Sequence, residues 1–381
     1  MKPTLLTPLT LLQPGRIAFG PGCAAPTLAD LAKARRRVLV LTAPAILGLA
    51  ERVAAPLRAL ATVEIIADLP AEPGVAACEE LRRRTRAFAP DLVVGLGGGS
   101  VLDLAKLAAA LHDRDEPVAT FFGSGLVPGR RTGLVCVPTT AGTGSEVSPN
   151  ALLLDEAAAA KKAVISPWLV PDAAVVDPEL MLTLPPGLTA TTGIDALAHC
   201  LEAYASLAAH PLVDLYALEG VRLVAANLAR AVADGSDLAA RSAVALGSLY
   251  GGLCLGPVNT NGVHAIAYPL GGEYHVPHAL SIALLLPHVV AFNRTALPDR
   301  HAALGVALGA APGPSAAEEL PGRLRDLIAA CGIPTGLGRH GIPRDALPRL
   351  ADAALLVTRL LKANPRPVTR ADALAIYEAA Y

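Results

Sequence analysis

The sequence predicts an α/β N-terminal domain with a mainly parallel sheet, followed by an all-α C-terminal domain. Two observations carry that expectation. Through the first half, short aliphatic and β-branched runs alternate with helix-period segments, the pattern of a βαβ layer. From Pro185 and Pro186 onward the strand-like runs stop, and helix-period segments continue to the end. The boundary is placed near Leu184, giving domains 1–184 and 185–381. A chain of 381 residues is long enough for two such domains and a large buried core.

In order, residues 37–42 read as a buried strand, 45–60 as a helix, and 63–67 as a second strand stopped by Pro70 and Pro73. Residues 75–88 form an arginine-rich amphipathic helix. Residues 91–95 form a third strand, which runs into Gly97-Gly98-Gly99-Ser100. Three glycines let the backbone come close to a phosphate and take positive φ without strain. Ser100-x-x-Asp103 has the form of a capping box opening a helix over 101–112. Strand, glycine turn and helix start would then aim N–H groups and the positive dipole end at an anion. The run is neither a strict G-x-G-x-x-G nor a Walker loop, so taken alone an ordinary tight turn competes equally.

A further strand over 133–137 ends in Pro138-Thr139-Thr140-Ala141-Gly142-Thr143-Gly144-Ser145-Glu146-Val147. Hydroxyls and glycines at that density at a strand end read as a ligand-facing loop, with a solvated turn as the alternative. An alanine run over 157–160 is expected in a turn or helix. Lys161 follows it, within reach of a phosphate or simply solvated.

In the helical half, breaks are expected near Gly235, Gly256, Gly271, Pro287, Pro312 to Pro314, Pro334 and Pro365. Asp195 and His199 are four apart, hence on one helical face with roughly 5–6 Å between Cβ atoms. His264 lies in another apolar helix-period segment. Gly271 and Gly272 are expected to turn the chain, and Pro277 to restart it with His278 in the opening turn. One carboxylate and three imidazoles suit Fe²⁺ or Zn²⁺. Separately, the Asp–His pair reads as exposed polarity and a lone histidine as core. The combination after a glycine-rich loop favours a ligand set.

A net charge of −1 with 17% charged residues gives no sign of a nucleic-acid or polyanion surface. No uninterrupted apolar run reaches the ~18 residues of a membrane span, and the prolines and threonines of the first eight residues do not form a signal-peptide core. Cys23, Cys78, Cys136, Cys200, Cys254 and Cys331 are scattered without C-x-x-C spacing, which fits reduced thiols in the cytoplasm.

Over essentially its whole length the chain resembles the iron-containing (group III) alcohol dehydrogenases of the dehydroquinate synthase-like superfamily. The matching motifs are Gly97-Gly-Gly-Ser100-x-x-Asp103-x-Ala-Lys106, Pro138 to Val147, Thr192-Gly-Ile-Asp195-Ala-Leu-Ala-His199, His264-Ala-Ile-Ala-Tyr268-Pro-Leu-Gly-Gly272, Pro277-His278, Leu286-Pro-His288 and Asn364-Pro-Arg-Pro. The resemblance implies a dinucleotide-binding domain, a helical metal-binding domain and a cleft between them. It implies Asp195, His199, His264 and His278 as metal ligands, with Fe²⁺ expected and Zn²⁺ the alternative. It also implies Gly98, Gly99, Ser100, Asp103, Thr139, Thr140, Thr143, Ser145 and Lys161 as contacts to NAD or NADP. A cytoplasmic homodimer acting on a small alcohol or aldehyde follows from the same likeness.

Three positions depart from the family pattern. Ala43 stands where NAD-preferring members carry an acidic residue, Tyr268 where many have a second histidine, and Ala279 where a glycine is common. In the implied reaction the metal acts as a Lewis acid on the substrate oxygen while the nicotinamide exchanges hydride. Tyr268, or His275 through water, is the expected proton relay. The competing readings are a maleylacetate reductase-like or synthase-like enzyme of the same superfamily, and a metal-dependent hydrolase.

Overall fold

The computed structural model describes residues 7–156 and 160–381. Most of the alanine run expected in a turn or helix, residues 157–159, lies outside the described residues. The chain divides into two compact units, one of residues 12–140 and 144–183, the other of 184–381 with 141–143 and, among described residues, 7–11.

The first unit contains β1 (Arg16–Phe19), α1 (Ala24–Ala32), β2 (Arg37–Leu41), α2 (Leu47–Ala54), β3 (Thr62–Ile66), α3 (Val75–Phe88), β4 (Leu92–Gly97) and α4 (Gly99–Leu111). It continues through β5 (Gly123–Ser124), β6 (Gly133–Pro138), β7 (Asn150–Asp155), β8 (Ala160–Ile165) and β9 (Ala173–Val176). Six strands form one sheet in the order β1-β9-β6-β4-β2-β3, and every pairing in it is parallel. Strand alternation divides the core. Val38 and Val40 pack with α1 and α2 on one face, and Leu39 and Leu41 with α3 and α4 on the other. Burial on both faces explains why these strands read as unbroken apolar runs. The strand order reverses between β2 and β4, so the ends of those strands, Thr42-Ala43 and Gly97-Gly98, flank a topological switch point.

Two expectations need correction here, and five strands, β1, β5, β7, β8 and β9, were not expected. The helix over 45–60 is three pieces: a 3₁₀ turn Pro44–Ile46, α2, and a second 3₁₀ turn Ala55–Ala59 entered through Pro56, which lacks an N–H. Strands β1 and β9 pair at one side of the sheet, and β5, β8 and β7 form a separate three-stranded sheet. Lys161 therefore lies on a strand. The capping box is absent, because α4 begins two residues earlier than expected, with Gly98 as its N-cap.

The second unit contains α5 (Pro186–Tyr204), α6 (Pro211–Ala233), α7 (Leu238–Leu255), α8 (Gly262–Tyr274), α9 (His278–Asn293), α10 (Pro298–Ala307), α11 (Ser315–Ala330), α12 (Leu347–Leu355), α13 (Thr358–Leu361) and α14 (Arg370–Ala379). Close packing around α5 depends on glycine. A Cβ on Gly193 would lie 2.2 Å from Leu228, one on Gly220 2.4 Å from Cys200 Sγ, and one on Gly251 3.1 Å from the His199 Cβ. By length and composition α7 could cross a membrane, but 67% of it is buried within the unit. Its Arg241 donates to Thr189 Oγ1 at 2.6 Å, Gly235 O at 3.0 Å and Leu184 O at 3.1 Å.

Two expected breaks are not breaks. Gly271 and Gly272 continue α8 to Tyr274, and the chain turns at His275, whose φ of 53° is left-handed. Pro287 lies inside α9, where the burial of Leu284, Leu285, Leu286, Val289 and Val290 outweighs the missing N–H.

Candidate metal and dinucleotide sites

Three helices of the second unit converge on one cluster. α5 opens at Pro186 and presents Asp195 and His199 one turn apart, both buried. α8 opens at Asn261, whose Oδ1 accepts from Gly262 N at 2.6 Å, and buries His264 in its first turn. α9 starts at His278 directly behind Pro277 and leaves that imidazole half-buried.

Asp195 Oδ1 lies 3.5 Å from His264 Nε2, 3.7 Å from His199 Nε2 and 3.8 Å from His278 Nε2. It is buried without a hydrogen-bond partner. The other nitrogens are committed elsewhere: His199 Nδ1 donates to Gly142 O at 3.2 Å, and His264 Nδ1 donates to Glu202 Oε2. That leaves the Nε2 atoms of His199 and His264 facing each other at 3.1 Å. Two lone pairs at that distance need a cation between them, a proton or a metal.

Electrostatics agree. Burial alone would raise the Asp195 carboxyl, but His199, His264 and His278 around it hold it well below the usual carboxylate range. Burial opposes charge on His264 too, yet the carboxylates of Glu202 and Asp195 push it up to about 9. Burial lowers His199, against the pull of Asp195. The two carboxylates thus favour positive charge at His264, where a divalent cation would compete with a proton. A carboxylate and imidazoles with oriented Nδ1–H groups fit Fe²⁺ or Zn²⁺.

In the first unit, β4 feeds α4 through Gly98, and the N–H groups of Val101 and Leu102 donate to Gly98 O at 3.0 and 3.1 Å. A Cβ on Gly95 would meet Ala105 at 2.7 Å and one on Gly97 would meet Val101 at 2.7 Å, so both glycines let helix and strand approach. Thr139 N donates to Gly97 O at 3.0 Å, which joins the two strand-end loops. Asp103 and Ser145 face each other: Ser145 Oγ donates to Asp103 Oδ1 at 2.6 Å, and Leu152 N donates to Asp103 Oδ2 at 3.0 Å. One turn further, the fully buried Lys106 donates to Asn150 O at 2.8 Å, Ser148 O at 3.0 Å and Ser148 Oγ at 3.2 Å.

Residues 14–178 match the family model described as iron-containing alcohol dehydrogenase, and residues 189–381 match that of the C-terminal region of the Fe-containing alcohol dehydrogenase family. The chain belongs to the iron-containing alcohol dehydrogenase family. It is an alcohol oxidoreductase. It is 42% identical over 359 residues to long-chain-alcohol dehydrogenase 1 of Geobacillus thermodenitrificans, covering 91% of this chain and 90% of the relative. A crystal structure of 1,3-propanediol oxidoreductase superposes with a TM-score of 0.94 at 31% identity, covering 98% of this chain and 100% of that one. The sulfoacetaldehyde reductase of Bifidobacterium kashiwanohense, solved with NAD⁺, gives 0.90 at 27% identity, covering 98% and 99%.

Within this alcohol dehydrogenase, the expected ligands Asp195, His199, His264 and His278 come together. Tyr268 joins them, its ring centroid 5.9 Å from that of His278. His275 does not: it is exposed at the end of α8, where the backbone turns. Lys161 pairs with Glu72 at 3.2 Å, and Ser100 Oγ donates to Ala71 O, so these two side chains are engaged within the protein. Asp103 and Ser145 brace the loop by bonding each other. Thr143 lies in the short segment that clusters with the helical unit. Sequence reading singled out neither Lys106, quoted only as part of a motif, nor Glu202. The signal for Glu202 was present, since Asp195, His199 and Glu202 at i, i+4 and i+7 share one helical face.

Proposed function

We propose that this enzyme interconverts a small alcohol and its aldehyde by hydride exchange with a nicotinamide dinucleotide, on a substrate oxygen held at the Asp195, His199, His264 and His278 cluster. The observation that carries the reading is Asp195 Oδ1, buried without a partner and faced by three imidazole nitrogens at 3.5–3.8 Å. A divalent cation bound there, Fe²⁺ or the Zn²⁺ that the same donors accept, would supply Lewis-acid polarisation of the substrate oxygen. Asp195 contributes the charge, while Gly142 and Glu202 orient two of the rings. Burial pushes the Tyr268 phenol up to about 12, so at neutral pH it serves as a hydrogen-bond donor and not as a base. The test is to strip the protein with a chelator, reload it with Fe²⁺ or Zn²⁺, and assay aldehydes alongside maleylacetate with NADH and NADPH. Aldehyde reduction should vanish on stripping and return on reloading. Reduction that survives stripping, or turnover of maleylacetate alone, would overturn the reading.

The dinucleotide is assigned to the first unit, with its pyrophosphate at the glycine turn before α4, at the switch point between β2 and β4. Free thiols at all six cysteines support a reducing, cytoplasmic setting, and the family likeness supports a homodimer.

Ala43 governs cofactor choice in this reading. At the end of β2 a carboxylate would bond the ribose hydroxyls and repel a 2′-phosphate. Ala43 does neither, so both cofactors should be used. Ala43→Asp should shift the ratio of kcat/KM values toward NADH by roughly 1.5–3 kcal/mol, the worth of charge-assisted hydrogen bonds. A parent enzyme that already rejects NADPH by about a thousandfold, ~4 kcal/mol, would show that another residue reads the ribose.

A further inference from the structure

One buried carboxylate ties the ligand on α8 to the two on α5. Glu202 lies three residues beyond His199 and is buried. Its Oε1 accepts from the backbone N–H groups of Val263 at 2.8 Å, Asn261 at 2.9 Å and His264 at 3.4 Å. These belong to the opening turn of α8, whose first N–H groups have no partner within the helix. Its Oε2 accepts from His264 Nδ1. Asn261 completes the seam, since its Nδ2 donates to the Glu202 carbonyl at 2.8 Å.

We propose that Glu202 is the positioning residue of the metal seat, fixing with one oxygen the start of α8 and with the other the ring of His264. The inference rests on reading the cluster as a metal site. A carboxylate is planar, so amides that hold Oε1 also fix Oε2, and with it the direction of His264 Nδ1. A neutral imidazole has two tautomers, and only one offers an Nε2 lone pair. An ionised carboxylate has no proton to give and therefore selects Nδ1–H, leaving Nε2 for the cation. His199 is held by a neutral carbonyl at 3.2 Å, the weaker of the two restraints. Donors from the start of α8 and the positive end of its dipole make a buried carboxylate tolerable at this place.

The test uses the full chain with Glu202→Gln and Glu202→Asp. Glutamine keeps the length but has one acceptor and one NH₂. However it is turned, either His264 Nδ1–H or the α8 amides meet a donor. Aspartate keeps the charge but falls one methylene short of serving both partners. The measurements are the rate at which excess chelator removes Zn²⁺ from loaded protein, and the Tm of the metal-free protein. Both variants should release Zn²⁺ about 10–100-fold faster than the parent, whatever metal-free Tm is lost with the buried bonds to α8. A lowered Tm with parental Zn²⁺ release would mean that Glu202 only stabilises the helix start, and would overturn the proposal. If Glu202→Gln does not fold, parental release from Glu202→Asp overturns it equally. A parent that holds no Zn²⁺ or Fe²⁺ removes the metal reading itself, and the proposal with it.

Discussion

Replacing His264 with alanine should empty the metal seat and lower kcat/KM about a thousandfold, with the chain still folded. His264 is held at both ring nitrogens, and its Nδ1 is the one bonded to a carboxylate: Nδ1 to Glu202, and Nε2 to His199 at 3.1 Å and Asp195 at 3.5 Å. Without it the remaining donors are Asp195, His199 and the half-buried His278, and the seat loses the imidazole that Glu202 orients toward the cation. Lewis-acid polarisation supplies several kcal/mol of transition-state stabilisation, and losing ~4 kcal/mol is roughly a thousandfold in rate. The fold should weaken as well, because Glu202 Oε2 is left buried without its partner, at a cost of about 1–3 kcal/mol. Metal content per chain, circular dichroism and kcat/KM on one preparation decide the matter. A His264→Ala protein with full metal and parental turnover would remove His264 from the ligand set.

The convergence of Asp195, His199, His264 and His278 was legible only in its local parts, and the family motifs joined them. Asp195 and His199 are set by helical periodicity, and Pro277 fixes the helix start that carries His278. Glu202 shares the helical face of Asp195 and His199, but three residues from a histidine a glutamate also reads as an ordinary solvated face. Only the approach of α8 makes it a buried acceptor. The same limit applied to the glycines of α8. Gly271 and Gly272 lower helix propensity by roughly 1 kcal/mol each, yet the packing of Leu270 and its neighbours carries the helix past them.

In the sheet, β2, β4 and β6 were readable as unbroken apolar runs buried on both faces. β9 is only four residues between Asp172 and Asp177, too short for a period to show. β1 is partly exposed and contains one arginine. β8 carries Lys161 and Lys162 beside alanines, a composition with little strand preference, and its antiparallel register with β7 holds it in place. Ser100-x-x-Asp103 met the pattern of a capping box for a helix starting at Val101. The helix starts at Gly99, which turns Asp103 inward to Ser145 and Leu152.

Lys106→Met should destabilise the α/β unit by about 3–5 kcal/mol, the usual cost of breaking a buried charge pair. Lys106 Nζ donates to Asn150 O, Ser148 O and Ser148 Oγ, and lies 4.0 Å from Asp103 Oδ1. Methionine matches its volume and removes every donor, so packing is nearly conserved and the loss isolates the polar contacts. The change should also be pH-dependent. Burial already raises the Asp103 carboxyl, with Lys106 and the Ser145 hydroxyl pulling it down, and burial pushes Glu146 up to about 7 against its own backbone N–H and Lys106. Without the ammonium both rise further. A carboxyl raised on folding binds its proton more tightly in the native chain, so its destabilisation is absent below the unfolded value and grows as pH climbs toward the folded one. The deficit of Lys106→Met against the parent should therefore shrink as pH falls from 7.5 toward 5. Because Lys106 and Asp103 together hold the segment from Ser145 to Leu152, dinucleotide affinity should fall alongside stability. Thermal melts of both proteins at the two pH values, with and without NADH, give the comparison. Equal stability at pH 7.5, or a deficit that widens on acidification, would show that the ammonium is not what holds this segment.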